Sequence, residues 1–196
     1  MKNAWVYLTA LMVCLVGCSG DEFAEIIDPI WVDHGSGIVQ FHTNNPDHYN
    51  YAFYHTITPA TNDVYEVTAK KMSGSDNYGY GMLFCVDAND YYRFFITARQ
   101  QYTIQKFISG EGAGSLIGWT NSPEIRRGYN ADNKLKVVRT NSGSAATLAI
   151  YINDTLVKSV TDDIPINGTK FRLAASVDVE EKENFPYVPV EVWFKY

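Results

Sequence analysis

The sequence predicts an all-β protein: two packed antiparallel sheets in a single domain. Apolar and aromatic residues recur at every second position in run after run, which is the period of a half-buried strand. The runs are short and are separated by clusters of Asp, Asn, Gly and Ser, which terminate strands. No stretch beyond the N-terminal segment carries a helical period. The length agrees, since 196 residues without an internal repeat or linker fit one sandwich of about 200 residues.

Residues 1–17 read as a leader rather than as fold. Lys2 precedes an apolar run from Ala4 to Val16, too short to span a bilayer and placed as a signal-peptide core. The run ends in Leu15-Val16-Gly17-Cys18, which resembles a bacterial lipobox and implies that Cys18 is acylated and becomes the mature N-terminus. Residues 18–29 form an acidic tether, Ser19-Gly20-Asp21-Glu22-Phe23-Ala24-Glu25 and onward. The tether resembles the acidic signal that sends some lipoproteins to the outer face of the outer membrane, and a solvated linker without an address is the other reading. The membrane is thus an expected partner through a lipid anchor, and the expected location is the outer membrane. With Cys14 lost and Cys18 acylated, Cys85 is left without a partner for an intramolecular disulfide. Its apolar neighbours mark it as a small buried hydrophobe.

Strands are expected across residues 30–196. They begin at Ile30-Trp31-Val32 and Ile38-Val39-Gln40-Phe41-His42 around a Gly35-Ser36-Gly37 turn, and another runs from Tyr49 to His55. Asp63 to Lys70 sets Tyr65, Val67 and Ala69 against Glu66, Thr68 and Lys70, so one face is dry and one wet. The block from Tyr78 to Thr120 reads as an antiparallel meander. In it Tyr92, Phe94 and Ile96 look inward, while Tyr91, Arg93 and Phe95 look outward. Two outward aromatics exceed what a solvated face needs, so another layer or a ligand covers them. Residues 123–128 are expected to form one helical turn ended by Gly128. Asn153-Asp154 is a two-residue hairpin of the kind that takes positive φ. Phe171, Leu173, Ala175 and Val177 face inward, as do Val188, Val190, Val192 and Phe194, with Glu191, Trp193 and Lys195 opposite. The total is about a dozen strands.

The order of motifs carries a family resemblance. Tyr78-Gly79-Tyr80-Gly81 leads into Leu83-Phe84. Asp90-Tyr91-Tyr92, Tyr102-Thr103-Ile104-Gln105-Lys106 and Leu116-Ile117-Gly118-Trp119-Thr120 follow, and then Ile150-Tyr151-Ile152-Asn153-Asp154. Over residues 30–196 this resembles the concanavalin A-like lectin and glucanase jelly rolls, nearest the laminin-G-like and 3-keto-disaccharide hydrolase-like branch. The resemblance implies a two-sheet antiparallel jelly-roll sandwich and a glycan as ligand. Glucanases of this superfamily set carboxylates at alternating positions of one strand, about 5 Å apart. No strand of this sequence carries that pattern, and Glu66 and Glu191 stand singly.

Charge excludes one partner class. With 22 Asp and Glu against 16 Lys and Arg, a net charge of −6 and no basic stripe, nucleic acid is not expected. His34, His42, His48 and His55 lack the spacings of a transition-metal site. Asp87, Asn89 and Asp90 offer oxygen ligands in one turn. They read as a calcium site or as turn chemistry alone, and no other cofactor is indicated. Tyr78, Tyr80, Tyr91, Trp119, Tyr129 and Trp193 are candidates for a sugar-stacking platform, with Arg93 as a polar partner. The leading expectation is a surface-anchored lipoprotein whose jelly roll binds a glycan without cleaving it. A structural or adhesive subunit that binds protein, and a sugar hydrolase, are the alternatives.

Overall fold

The computed structural model describes residues 30–44, 50–53, 55–177 and 189–196. The expected leader, the tether with Cys18, His48, Val188 and the Glu180–Asn184 run lie outside the described residues. Among the described residues there are thirteen strands and no helix. They are β1 (Ile30–Gly35), β2 (Ile38–Thr43), β3 (Asn50–Ala52), β4 (Val64–Ser73), β5 (Tyr80–Asp87), β6 (Asp90–Ile96) and β7 (Gln101–Ile108). β8 (Glu111–Asn121), β9 (Asp132–Ser142), β10 (Ala145–Ile152), β11 (Thr155–Asp162), β12 (Lys170–Ser176) and β13 (Val190–Lys195) complete the set.

The strands form a seven-stranded sheet, β1-β2-β13-β4-β9-β10-β11, and a six-stranded sheet, β3-β12-β5-β6-β7-β8, with every pairing antiparallel. The meander read from the sequence is β5 to β8, side by side. β12 and β13 enter by long-range pairing, β12 beside β5 and β13 between β2 and β4.

Turn chemistry sets the registers. Asn153 and Asp154 take φ of 49° and 68°, the primed hairpin geometry that matches strand twist and that Asn and Asp tolerate. The Asn153 side chain also accepts from Lys134 N at 2.9 Å and donates to Glu124 O at 2.7 Å, so the hairpin is tied to its neighbours. The expected helical turn at 123–128 is instead an irregular loop of turns. Ser122 N donates to Gln100 O, and the Gln100 side-chain amide donates to Ile125 O. The start of β7 thereby takes the backbone groups that a helix would have paired internally.

The core fills the space between the sheets. Phe41, Tyr65, Phe84, Tyr92, Phe94, Ile150, Leu173 and Phe194 are all 2% exposed or less, and each such side chain contributes about 1.5–3 kcal/mol by leaving water. Cys85 sits in a β5 bulge at φ 52°, buried as expected. Its Sγ is 3.5 Å from the Tyr65 hydroxyl and 3.9 Å from Arg139 Nη1, and burial pushes its thiol pKa up. Gly168 packs on the bulge backbone, where a Cβ would stand 2.2 Å from Cys85 O.

One polar cluster joins the sheets. Asp162, at the end of β11, accepts at Oδ2 from the Tyr92 hydroxyl at 2.6 Å and from Lys106 Nζ at 2.8 Å. Ile164 N donates to its Oδ1 and Ile166 N donates to the Tyr92 oxygen, both at 3.0 Å. Burial alone would raise the Asp162 pKa, but these donors and the Lys106 charge hold it below the usual carboxylate value.

Two stability predictions follow from this packing. Asp162→Asn leaves the largely covered Lys106 ammonium without its counter-charge and is expected to cost about 3 kcal/mol at pH 7, read from urea midpoints. Because the folded pKa of Asp162 is depressed, its contribution is complete above the unfolded value of about 3.9 and disappears as pH falls through the lower folded value. The gap between wild type and Asp162→Asn should therefore close on acidification through that window and stay constant from pH 5 to 7. Gly168→Ala forces backbone apart at Cys85 and should lower the thermal midpoint by several degrees, whereas Cys85→Ala, which only shortens a buried side chain, should lower it less.

Candidate functional site

The outward face of the six-stranded sheet is where the sequence supplies more than a wetted sheet requires. Pairing register arranges its side chains in rows that cross the strands. Arg172 of β12 lies opposite Leu83 of β5, Leu83 opposite Arg93 of β6, Arg93 opposite Gln105 of β7, and Gln105 opposite Ser115 of β8. One side of this polar row carries Tyr91 and Phe107, opposite one another on β6 and β7. The other side carries Ala174, Gly81, Phe95 and Thr103. Gly118 and Trp119 continue that last row, in a β8 bulge between the pairs Ile104–Ile117 and Tyr102–Thr120.

This face has its own apolar cluster, separate from the core: Leu83, Val86, Phe95 and Ala174 with Tyr91 packed against them. The Tyr91 and Phe107 rings stack at 4.8 Å and 15°. The Arg93 guanidinium lies over Phe95 at 4.9 Å and over Phe107 at 5.0 Å, and its Nε and Nη2 both donate to Gln105 Oε1. Burial lowers the Arg93 pKa from its ordinary value. Burial also raises that of Tyr91, with the positive charges of Arg93 and Arg172 opposing the rise. The phenol thus senses both guanidiniums. Arg172 Nε is buried and has no hydrogen-bond partner among the described residues. A cavity of about 410 Å³ beside it is lined by Thr56, Asp87, Asn167, Lys170 and Arg172, among others.

The expected platform residues separate. Tyr91, Arg93 and Trp119 stand on this face, Trp119 with 47% of its surface exposed. Tyr78 and Tyr80 do not: they are 3% and 0% exposed, on the inward side, because the alternation through Tyr80, Met82 and Phe84 buries them. The Lys71 ammonium lies 5.1 Å from the Tyr78 ring centre and 5.8 Å from that of Tyr80. Tyr129 is exposed but sits in the loop between β8 and β9, where its hydroxyl donates to Gly74 O. Trp193 is on the opposite face of the sandwich, stacked on His34 at 5.0 Å and donating its indole N–H to Glu191. It lines a cavity of about 580 Å³ with Thr68, Lys70 and Asp132.

The Asp87–Asp90 turn serves its hairpin. Asp90 Oδ1 accepts from Ser109 N at 2.7 Å and Asn89 O accepts from Gly110 N at 2.8 Å, which ties the β5–β6 turn to the β7–β8 turn. Among the described residues no three His, Cys, Asp or Glu side chains converge as a metal site would require. Arg172 escaped the sequence reading. Phe171, Leu173 and Ala175 identified the inward side of β12, and the complementary set that contains Arg172 was the available signal.

No family model and no curated protein matches the chain. Solved structures do share its fold. A Bacillus licheniformis beta-glucanase superposes with a TM-score of 0.51 at 14% identity, over 85% of this chain and 81% of that one. A structure described as a native glycosidic hydrolase does so at 0.50 and 13%, over 84% and 80%.

Proposed function

We propose that this concanavalin A-like jelly roll is a surface-anchored glycan-binding module, and that the outward face of its six-stranded sheet is the binding surface. The observation that carries the reading is the row Arg172–Leu83–Arg93–Gln105 flanked by the rings of Tyr91, Phe107 and Trp119, with Phe95 buried beneath the Arg93 guanidinium. Sugar rings present apolar C–H faces that stack on aromatic rings, while their hydroxyls accept from guanidinium and amide N–H groups held beside those rings. Arg93 is fixed in advance by two bonds to Gln105 and by two ring faces, so little side-chain entropy remains to be lost on binding. The fold shared with a beta-glucanase and a glycosidic hydrolase supports a saccharide as the ligand class.

Binding without cleavage is the reading favoured by the chemistry of the rows. Retaining hydrolysis needs two carboxylates about 5 Å apart across the scissile bond, one with a raised pKa. The three rows offer guanidinium, amide, hydroxyl and aromatic groups instead. The lipobox-like Leu15-Val16-Gly17-Cys18 supports a lipid anchor, with the acidic tether holding the domain away from the bilayer.

Two experiments test this reading. Affinity electrophoresis of the full chain in non-ionic detergent through a panel of neutral and charged polysaccharides should show retardation by at least one. Trp119→Ala should then weaken that binding by about 1–3 kcal/mol with an unchanged unfolding midpoint, and Trp193→Ala, on the other face, should leave it intact. Equal losses from both variants, or retardation by none, would contradict the assignment. For the anchor, Cys18→Ser is expected to abolish incorporation of labelled palmitate and to move the protein from the membrane to the soluble fraction; continued labelling would refute it.

A further inference from the structure

We infer that the glycan held on this face is anionic, a saccharide bearing carboxylate or sulfate groups, and that Arg172 is the residue that selects for the charge. The inference rests on the reading of this face as a glycan surface and names the class of glycan.

Three other buried or partly buried cations among the described residues are matched by acceptors. Arg139 bonds to Asn141, Asn167 and Gly168 O and lies 3.8 Å from Asp63. Lys106 meets Asp162, and Lys71 bonds to the Ser75 and Tyr78 carbonyls. Arg172 departs from this pattern: its buried Nε has no acceptor among the described residues. Leaving such a donor dry and unpaired is unfavourable, and turning the partly exposed side chain toward a charged acceptor at the surface restores the bond most strongly.

The surroundings of Arg172 point to an anion rather than to a neutral hydroxyl. Arg93 is two strands away in the same row, about 10 Å at the usual strand spacing. Lys170 shares the adjoining cavity with Arg172. Among the described residues, against these three cations stands one carboxylate on the rim of the cavity, Asp87, and the three rows themselves hold none. This concentration of positive charge occurs on a chain of net charge −6, so it is local and is not a by-product of composition. A planar guanidinium takes a carboxylate or sulfate through two parallel N–H donors, while the stacked rings of Tyr91 and Phe107 farther along the face take the sugar body.

The test uses matched probes and the full chain in non-ionic detergent. Titration calorimetry compares polygalacturonate with its methyl ester, and dextran sulfate with dextran, at low salt of about 20 mM and at high salt of about 500 mM, where the Debye length is about fivefold shorter. At least one charged probe is expected to bind about tenfold or more tightly than its uncharged counterpart. High salt should erode that preference, Arg172→Gln should abolish it, and Arg172→Lys, which keeps charge without the planar fork, should retain part. Preference for polygalacturonate assigns the group as carboxylate, and preference for dextran sulfate as sulfate ester. Equal binding within each pair, or binding to uncharged probes alone, overturns the anionic inference while the glycan surface stands. Failure to bind these probes and every member of the polysaccharide panel overturns both. A folded Arg172→Gln that keeps the full preference removes Arg172 from the role. If that variant does not fold, the wild-type preference and its salt dependence decide the ligand class.

Discussion

The carboxylate of Asp162 is the point on which the placement of the site depends. It ends β11 in one sheet and receives Tyr92 from β6 and Lys106 from β7 of the other. These are the inward neighbours of Tyr91, Arg93, Gln105 and Phe107, so the clamp that joins the sheets also fixes the backbone beneath the polar row. The residues just after Asp162 are drawn in by the same group, through Ile164 N and Ile166 N. They lead to Gly168, which fits the Cys85 bulge only because it lacks a side chain, and from there to Lys170 and Arg172. A strand that enters the sheet by long-range pairing has no hairpin to set its register. Here the polar clamp and the glycine contact do so.

Much of the fold was legible because alternation reports burial directly. Phe171, Leu173, Ala175 and Val177 were expected inside and are buried, as are Tyr92, Phe94 and Ile96. The Asn153-Asp154 turn was legible because few residues accept its backbone geometry. The site was legible only in part. Tyr91, Arg93 and Phe95 were assigned correctly to an outward face, but whether that face was wet, covered or binding depended on which strands lay beside it. Tyr78 and Tyr80 read as platform residues because an aromatic flanked by glycines fits either side of a strand. Only their packing with Lys71 and the core places them inside. Trp193 read as a platform member because sequence does not reveal sheet membership; β13 is inserted between β2 and β4, in the sheet opposite β6.

The two outward faces solve the same problem differently. On the seven-stranded sheet, Lys134 pairs with Glu66 and Asp154, and Lys70 with Asp132, cross-strand pairs that keep a face soluble at little net energy. On the six-stranded sheet the corresponding positions carry Leu83, Phe95, Tyr91 and Phe107 under arginine. This second cluster does not help close the core between the sheets; Leu83, Val86, Phe95 and Ala174 are buried on the outer side, with Tyr91 packed against them and the Arg93 guanidinium over Phe95.

Arginine is well suited to that arrangement, which is why its placement is informative. A guanidinium is weakly hydrated for a cation and can lie flat on an aromatic ring while its edge donors stay directed outward or sideways. Arg93 uses both properties, its plane spent on Phe95 and Phe107 and its donors on Gln105. Arg172, in the same row, has the hydrophobic neighbour Leu83 but a donor still unmatched. The first arginine stiffens the surface, and the second leaves it chemically incomplete. A row that is rigid at one position and unsatisfied at the next is what the proposed anionic ligand would complete, its sugar body lying on the stacked rings of Tyr91 and Phe107 beside it.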